Sequence, residues 1–255
     1  MTPVTVLVTT YCKPDHLART VDHLLPQLRR EDEVLIVDDG SPLPDAERNR
    51  NIAQKAGARY VWIPDKGYRL ATARNVGIVL ANNEKIVQLD DDILLAPTSI
   101  DFIRRNLKPG MLIAGRIDWL DENGRIQRLD WRFDSLRVWD VGKMLPYGVF
   151  GGLIAYCRSI AFIAGLYCED YNGRWGSEDA DFAYRMALAH VDVILDGRLR
   201  GFHQYHPKRK GWEKEQDKNR ELLKKKLREY ERDIPEARYL PHPLVEVFIG
   251  HWRRR

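Results

Sequence analysis

The sequence predicts an α/β protein, with a mostly parallel central sheet flanked by helices and a short helical extension at its end. Three observations carry this reading. Short apolar, β-branched runs alternate with segments of helical period over roughly the first hundred residues. Each run ends in polar residues and a turn. The 255 residues are enough to bury one large core. Ligands of such sheets bind beyond the carboxyl ends of the strands, so the polar strand ends are where chemistry is expected.

Val4-Thr5-Val6-Leu7-Val8 reads as a central strand and ends in Thr9-Thr10-Tyr11-Cys12. Pro14-Asp15-His16 opens a helix, with Leu17, Val21, Leu24 and Leu28 at helical spacing. Val34-Leu35-Ile36-Val37 is a second strand, and it ends in Asp38-Asp39-Gly40-Ser41 before a helix over 46–56. Residues 60–63 form a third strand. Gly67-Tyr68-Arg69 leads into a helix through Leu70, Ala73, Val76, Gly77 and Leu80. The fourth strand, Val87-Gln88-Leu89, runs into Asp90-Asp91-Asp92.

The second half changes character. Residues 111–115 read as a strand, and Asp121-Glu122-Asn123-Gly124 as a hairpin turn. Residues 130–150 are loop-like, and Phe150-Gly151-Gly152-Leu153 predicts a close backbone approach. Ser177 is placed as the N-cap of a helix carrying Glu178, Asp179 and Asp181 in its first turn, with Phe182 and Met186 facing inward. A short strand at 191–195 and a charged helix over 212–232 follow.

The net charge of +4 is mild and does not by itself imply a nucleic-acid partner. Cys12, Cys157 and Cys168 have neither disulfide-framework nor zinc-site spacing, which fits a reducing compartment. The N-terminus lacks signal-peptide features, and no stretch has transmembrane length, so a cytoplasmic location is expected.

Four polar clusters need a joint explanation: Asp38-Asp39, Asp90 to Asp92, Glu178-Asp179-Asp181, and His203 with His206. Three like charges at a strand end repel one another and are costly to bury, and a divalent cation would compensate them. Each cluster has a bland alternative, namely a solvated turn, a dipole-compensating helix start or a pair of surface histidines. All four being bland along one α/β chain is the weaker account.

The ordered set Val8-Thr9-Thr10-Tyr11, Val37-Asp38-Asp39-Gly40-Ser41, Ala73-Arg74-Asn75-Val76-Gly77, Leu89-Asp90-Asp91-Asp92 and Trp175-Gly176-Ser177-Glu178-Asp179 resembles the GT-A-fold inverting glycosyltransferases of family 2. The last segment is similar to the W-G-x-E-D motif of galactosyl- and N-acetylgalactosaminyltransferases and of bacterial polysaccharide polymerases. The resemblance spans residues 4–207.

It implies a UDP-sugar-dependent hexosyltransferase. Thr9, Tyr11 and Asp39 would hold the base, with Arg69 and Arg74 near the nucleotide. Asp90 would face the ribose; Asp91, on the donor side, has no single assigned role and would either position its neighbours or touch the donor sugar. Asp92 and His206 would bind Mn²⁺ (or Mg²⁺), with His203 a second ligand or a phosphate contact; imidazole favours Mn²⁺. Asp179 would be the general base, its ionised form favoured at a helix start. Trp175, Gly176 and Glu178 would meet the acceptor. Ser177 departs from the family's Gly-Gly form and bears on acceptor preference.

A saccharide is the default acceptor. The basic run Pro207-Lys208-Arg209-Lys210, the charged helix and Arg253 to Arg255 raise a polyanion such as hydroxymethylated DNA as an alternative. A non-catalytic nucleotide-sugar or nucleic-acid binding module is a reading from another class, disfavoured because no acid of the set is missing. Nucleotidyl transfer would need a Gly-rich phosphate loop after Val8, and the sequence has none there. The expected organisation is a catalytic domain over 1–207, with a nucleotide-binding half (1–95) and an acceptor half (96–207), then a charged helical extension over 208–255.

Overall fold

A computed structural model describes residues 2–133, 148–207 and 210–233. The sequence-predicted loop 130–150 and the basic run at 207–210 lie partly outside the described residues, and Arg253 to Arg255 wholly so.

The first half follows the predicted alternation: β1 (Val4–Thr10), α1 (Pro14–Leu24), β2 (Glu33–Asp38), α2 (Leu43–Lys55), β3 (Arg59–Trp62), α3 (Leu70–Leu80) and β4 (Lys85–Asp90). The chain continues through β5 (Ile93–Leu95), α4 (Ser99–Asn106), β6 (Met111–Leu120), β7 (Ile126–Arg128), β8 (Leu153–Cys157), α5 (Arg158–Ile163), α6 (Glu178–Leu188), β9 (Asp192–His203) and α7 (Trp212–Asp233). The strands join in one sheet of order β3-β2-β1-β4-β8-β6-β9-β5, with β7 paired to β6. Neighbours from β3 to β4 are parallel, as expected of β-α units with helical crossovers. β8 enters antiparallel to both β4 and β6, so the second half is mixed.

Period-two alternation sends each strand's apolar residues to two covers. Val4, Val6 and Val8 pack with Leu17, Val21 and Leu24 of α1 and with Ile100 and Ile103 of α4. Leu7, Leu35 and Val37 face the other way, toward Ala71 and Ile78 of α3 and Phe182 and Met186 of α6. Helix α3 lies close on the sheet because of Gly77, where a Cβ would stand 2.1 Å from Leu7 Cδ1.

Two strands are longer than the sequence predicts. β6 continues to Leu120 and β9 to His203, pairing in parallel across an irregularity at Gly115/Arg116. Asp196-Gly197-Arg198 interrupts the apolar run of β9, which is why its second half is not legible as strand. Ser177 precedes α6 as expected but makes no side-chain cap bond. Its φ of 75° is left-handed, not the extended backbone that an N-cap needs. Helix α7 packs on the residues before it: Leu223 and Leu227 are buried with Tyr171, Ala180 and Tyr184.

Candidate active site

Strand register gathers the polar ends. In β1, Thr10 stands beside Asp38 of β2, and Thr9 beside Asp90 of β4. The distant histidines arrive through β9, which pairs His203 with Ile93 of β5, while the Gln204 N–H donates to the Asp92 carbonyl at 2.8 Å. Residues more than a hundred positions apart therefore share one strand end.

Asp92, His203 and His206 form a cation-binding geometry, with one ligand atom from each lying within 4.8 Å of the others. Ligand bonds of about 2.0–2.2 Å put opposing ligand atoms about 4.2 Å apart, so this set fits a metal ion after a small contraction. His206 Nδ1 donates to the Pro207 carbonyl at 3.1 Å, which leaves Nε2 for the site. Burial lowers the pKa of His203, favouring the neutral ring that ligates metals. The His203 ring stacks on Trp119, with centroids 6.3 Å apart.

The sequence reading missed Lys13. Its ammonium donates to Asp92 Oδ2 at 2.7 Å and lies 3.2 Å from His206 Nε2. It stands where a cation is wanted. Burial pushes the Asp92 carboxyl up, but the facing His203, His206 and Lys13 outweigh it and hold the group well below the usual range. Asp91 behaves oppositely. It is buried, accepts the Thr10 hydroxyl at 2.7 Å, and is pushed up to about 8 by burial and the Asp92 charge. Its Oδ1 lies 3.9 Å from the Lys13 ammonium, and its carbonyl accepts the Thr20 hydroxyl at 2.7 Å, so it ties the β1 end and α1 to this turn.

The Asp38-Asp39 pair divides in the same way. Asp38 is fully buried and accepts from the Ser41 N–H, the Asn49 amide and the Tyr60 hydroxyl at 2.7–2.8 Å. Asp39 Oδ2 accepts the Arg69 backbone N–H at 2.6 Å, whereas its Oδ1 is buried without a hydrogen-bond partner. The Arg69 guanidinium stands 3.8 Å from that oxygen. Burial pushes Asp39 up to about 6, against the pull of the Arg69 N–H. Tyr11 is 46% exposed beside it in the β1 end loop. Thr9 is buried, with its hydroxyl 3.4 Å from Asp90 Oδ1.

Arg74 is 1% exposed and sits between two carboxylates, 3.1 Å from Asp90 and 2.9 Å from Glu178. It therefore joins α3, β4 and α6, and its charge is already matched within the protein. Glu178 is buried, with Oε1 paired to Arg74 and Oε2 without a hydrogen-bond partner; burial and the neighbouring Asp179 charge push it up to about 7 against Arg74.

Asp179 is half-buried, and its Oδ2 accepts the Gly151 N–H at 2.9 Å. Burial raises its pKa, and the Gly151 N–H and Arg74 work against that rise. The close approach predicted at Gly151-Gly152 is to these groups: a Cβ on Gly151 would lie 2.8 Å from Arg74 Nη1, and one on Gly152 3.0 Å from Asp90 Oδ2. Trp175 is 37% exposed on the turn before α6, where Gly176 (φ 91°) is left-handed.

The family model for glycosyl transferase family 2 matches residues 5–161. The chain belongs to that family. This family 2 glycosyltransferase is 25% identical to chondroitin synthase of Escherichia coli over 96% of its own length and 42% of that protein's. It is 26% identical to hyaluronan synthase of Pasteurella multocida, over 84% of this chain and 25% of that protein. The chain thus spans less than half the length of either relative. Among solved structures, a mannosyltransferase from Pyrobaculum calidifontis in complex with GDP-Man and Mn²⁺ superposes with a TM-score of 0.63 at 21% identity, covering 82% of this chain and 58% of that one. GalNAc-T7 with UDP, GalNAc and Mn²⁺ superposes at 0.62 and 19% identity, covering 83% and 45%. The fold is that of the GT-A glycosyltransferases. The family match ends before Trp175 and does not reach the Trp175–Asp179 segment. No described helix is long and apolar enough to cross a membrane.

Proposed function

We propose that this glycosyltransferase moves a hexosyl group, with inversion, from a UDP-sugar to a saccharide hydroxyl. The observation that carries the reading is the meeting of Asp92, His203 and His206 at the end of β4, close in the chain to the paired Asp90. Mn²⁺ (or Mg²⁺) held there would supply Lewis-acid stabilisation of the diphosphate leaving group. The imidazole pair favours Mn²⁺, and the two superposed structures carry Mn²⁺ with a nucleotide or nucleotide sugar.

The preference for uracil rests on Asp39. One carboxylate oxygen is taken by the Arg69 N–H, and the other, 3.8 Å from the Arg69 guanidinium, has no hydrogen-bond partner. A single free oxygen suits the one imide N–H of uracil, whereas the adjacent N–H groups of guanine need both oxygens. Tyr11 offers an exposed ring for the base, and Asp90 a half-buried carboxylate for the ribose. Arg74 holds Asp90 in place.

In the transfer, the acceptor oxygen attacks the anomeric carbon from the face opposite UDP. The bond from that carbon to the β-phosphate oxygen breaks, UDP leaves, and Asp179 takes the hydroxyl proton. Burial raises the Asp179 pKa and so makes it a stronger base than a solvated carboxylate, while the Gly151 and Ala180 N–H groups, one on each oxygen, fix its orientation. Trp175 and Gly176 line the acceptor side. The division into a nucleotide half (1–95) and an acceptor half (96–207) is carried forward with α7 added to the latter.

The polyanion alternative draws little from α7, whose Lys224, Lys225, Lys226 and Arg220 pair with Glu221, Glu229, Asp170 and Asp217.

The test is a panel of UDP-sugars with chondroitin and hyaluronan oligosaccharides as acceptors. Transfer should stop with a chelator and return with Mn²⁺. Asp179→Asn should lower kcat by roughly 10²–10⁴-fold with UDP affinity unchanged in calorimetry, the range expected for loss of a general base. Turnover persisting in that variant would remove Asp179 from the role.

A further inference from the structure

We propose that α7 is a working part of the acceptor site and that Asn219 is the positioning residue that holds Trp175 there. The inference rests on the acceptor role of Trp175 given above and goes beyond it to a helix that the family match does not reach.

The turn that carries Trp175 cannot hold itself. Gly173 (φ 81°), Gly176 (φ 91°) and Ser177 (φ 75°) are all left-handed. Ser177 passes its carbonyl to the Asp181 N–H of α6, and the Gly173 N–H donates to the Tyr68 carbonyl, but the carbonyls of Tyr171, Arg174 and Gly176 need partners from elsewhere. Asn219 supplies them. Its side chain is fully buried, and its Nδ2 lies 3.3 Å from the Tyr171 carbonyl, 3.1 Å from that of Arg174 and 2.8 Å from that of Gly176. The amide orientation is fixed by this environment, because the reversed amide would set an oxygen against three carbonyl oxygens.

The rest of the contact lies on the same stripe of α7. The Glu215 carboxylate accepts the Trp175 N–H at 3.1 Å. Trp212 meets Trp175 edge to face, with centroids 5.3 Å apart and planes at 87°. Gln216 lies against Gly176, where a Cβ would stand 3.5 Å from Gln216 Cγ. Positions 212, 215, 216 and 219 share one helix face by their spacing. The same stripe continues into Leu223 and Leu227, which anchor the helix in the core beside Tyr171 and Tyr184. Trp175 is thus gripped through its backbone and ring edge yet keeps 37% of its surface open, as a platform for the apolar face of a sugar requires. The donor-side groups Asp39, Asp92, His203 and His206 are held by other elements. Loosening α7 at Asn219 should therefore separate acceptor binding from donor binding.

The experiment compares Asn219→Ala, Asn219→Asp and Leu223→Ala in the full chain, using a chondroitin or hyaluronan oligosaccharide that the wild type elongates. Both Asn219 variants should raise the acceptor KM at least roughly tenfold, about 1.4 kcal/mol, with the donor KM and UDP–Mn²⁺ affinity unchanged. Leu223→Ala weakens the same helix in the core, where its side chain packs with Tyr171, Ala180 and Tyr184, and leaves the Asn219 amide and the Glu215 and Trp212 contacts to Trp175 in place. It should lower thermal stability as much or more while leaving the acceptor KM near that of the wild type. Trp212→Ala, altering a half-buried ring, gives a second route to the acceptor effect if the Asn219 variants do not fold. The inference is overturned if the wild type transfers sugar but the Asn219 variants, or Trp212→Ala in their place, keep its acceptor KM. It is equally overturned if Leu223→Ala raises that KM as much. If the wild type transfers no sugar at all, the functional reading itself falls.

Discussion

Neighbouring acids in this protein take opposite roles. Asp38 is saturated with donors and supports the β2 turn, while Asp39 keeps one oxygen free. Asp91 is tied to Thr10 and Asp92 faces the histidines. The division falls where the strands end: Asp38 closes β2 and Asp39 lies in the bend after it, while Asp91 and Asp92 form the turn between β4 and β5. Asp39 also carries a pH prediction. Its folded pKa is raised from 3.8 to about 6, so the proton is bound more tightly in the folded state. Any stability it contributes is full below its unfolded value and is lost as pH rises through about 6. Base recognition runs the other way, because accepting an N–H needs the ionised carboxylate. Binding of metal-free uridine, followed by saturation-transfer NMR, should strengthen as pH rises through about 6 and flatten in Asp39→Asn. An unchanged profile in that variant would exclude Asp39 from base recognition.

At the scale of elements, Arg74 is the joint between α3, β4 and α6. A guanidinium this buried is tolerated because two carboxylates face it, Asp90 and Glu178. Removing one partner of a buried pair leaves an uncompensated charge, at a cost of roughly 3–5 kcal/mol. Arg74→Met should destabilise the fold by about that amount in urea unfolding. Adding Glu178→Gln removes one stranded carboxylate and should recover part of the loss. A double variant less stable than the single one would mean that the pair is not the source of the effect. Gly151 belongs to the same joint, since only a residue without a side chain fits against Arg74 while its N–H reaches Asp179.

For the whole molecule, the site is assembled from both halves of the sheet, and its cations and anions are linked. Lys13 fills the place beside Asp92 that a metal would take. A metal held by Asp92 without a nucleotide would compete with that ammonium for the carboxylate. With a diphosphate also bound, the ammonium gains an anionic partner. Mn²⁺ alone should therefore shift the Tm little, and UDP with Mn²⁺ should shift it by more than the two separate shifts combined. A saturating pair at about a hundred times its Kd corresponds to about 2.7 kcal/mol. Strictly additive shifts in thermal unfolding would show that Lys13 does not compete with the metal.

The sequence by itself determined the order of β-α units in the first half and the strand ends where the acids fall. Those signals are local: β-branched runs, helical spacing at Leu17, Val21 and Leu24, and turn residues such as Gly40. The family's motifs were legible for the same reason. The tertiary structure alone decided the rest. It brought His203 to Asp92 through the β5–β9 pairing, turned Asp91 and Glu178 inward, set Lys13 in the cation position and bound α7 to the Trp175 turn. None of these is written in a short window. Each depends on contacts between distant residues, whose geometry is set by strand register and core packing.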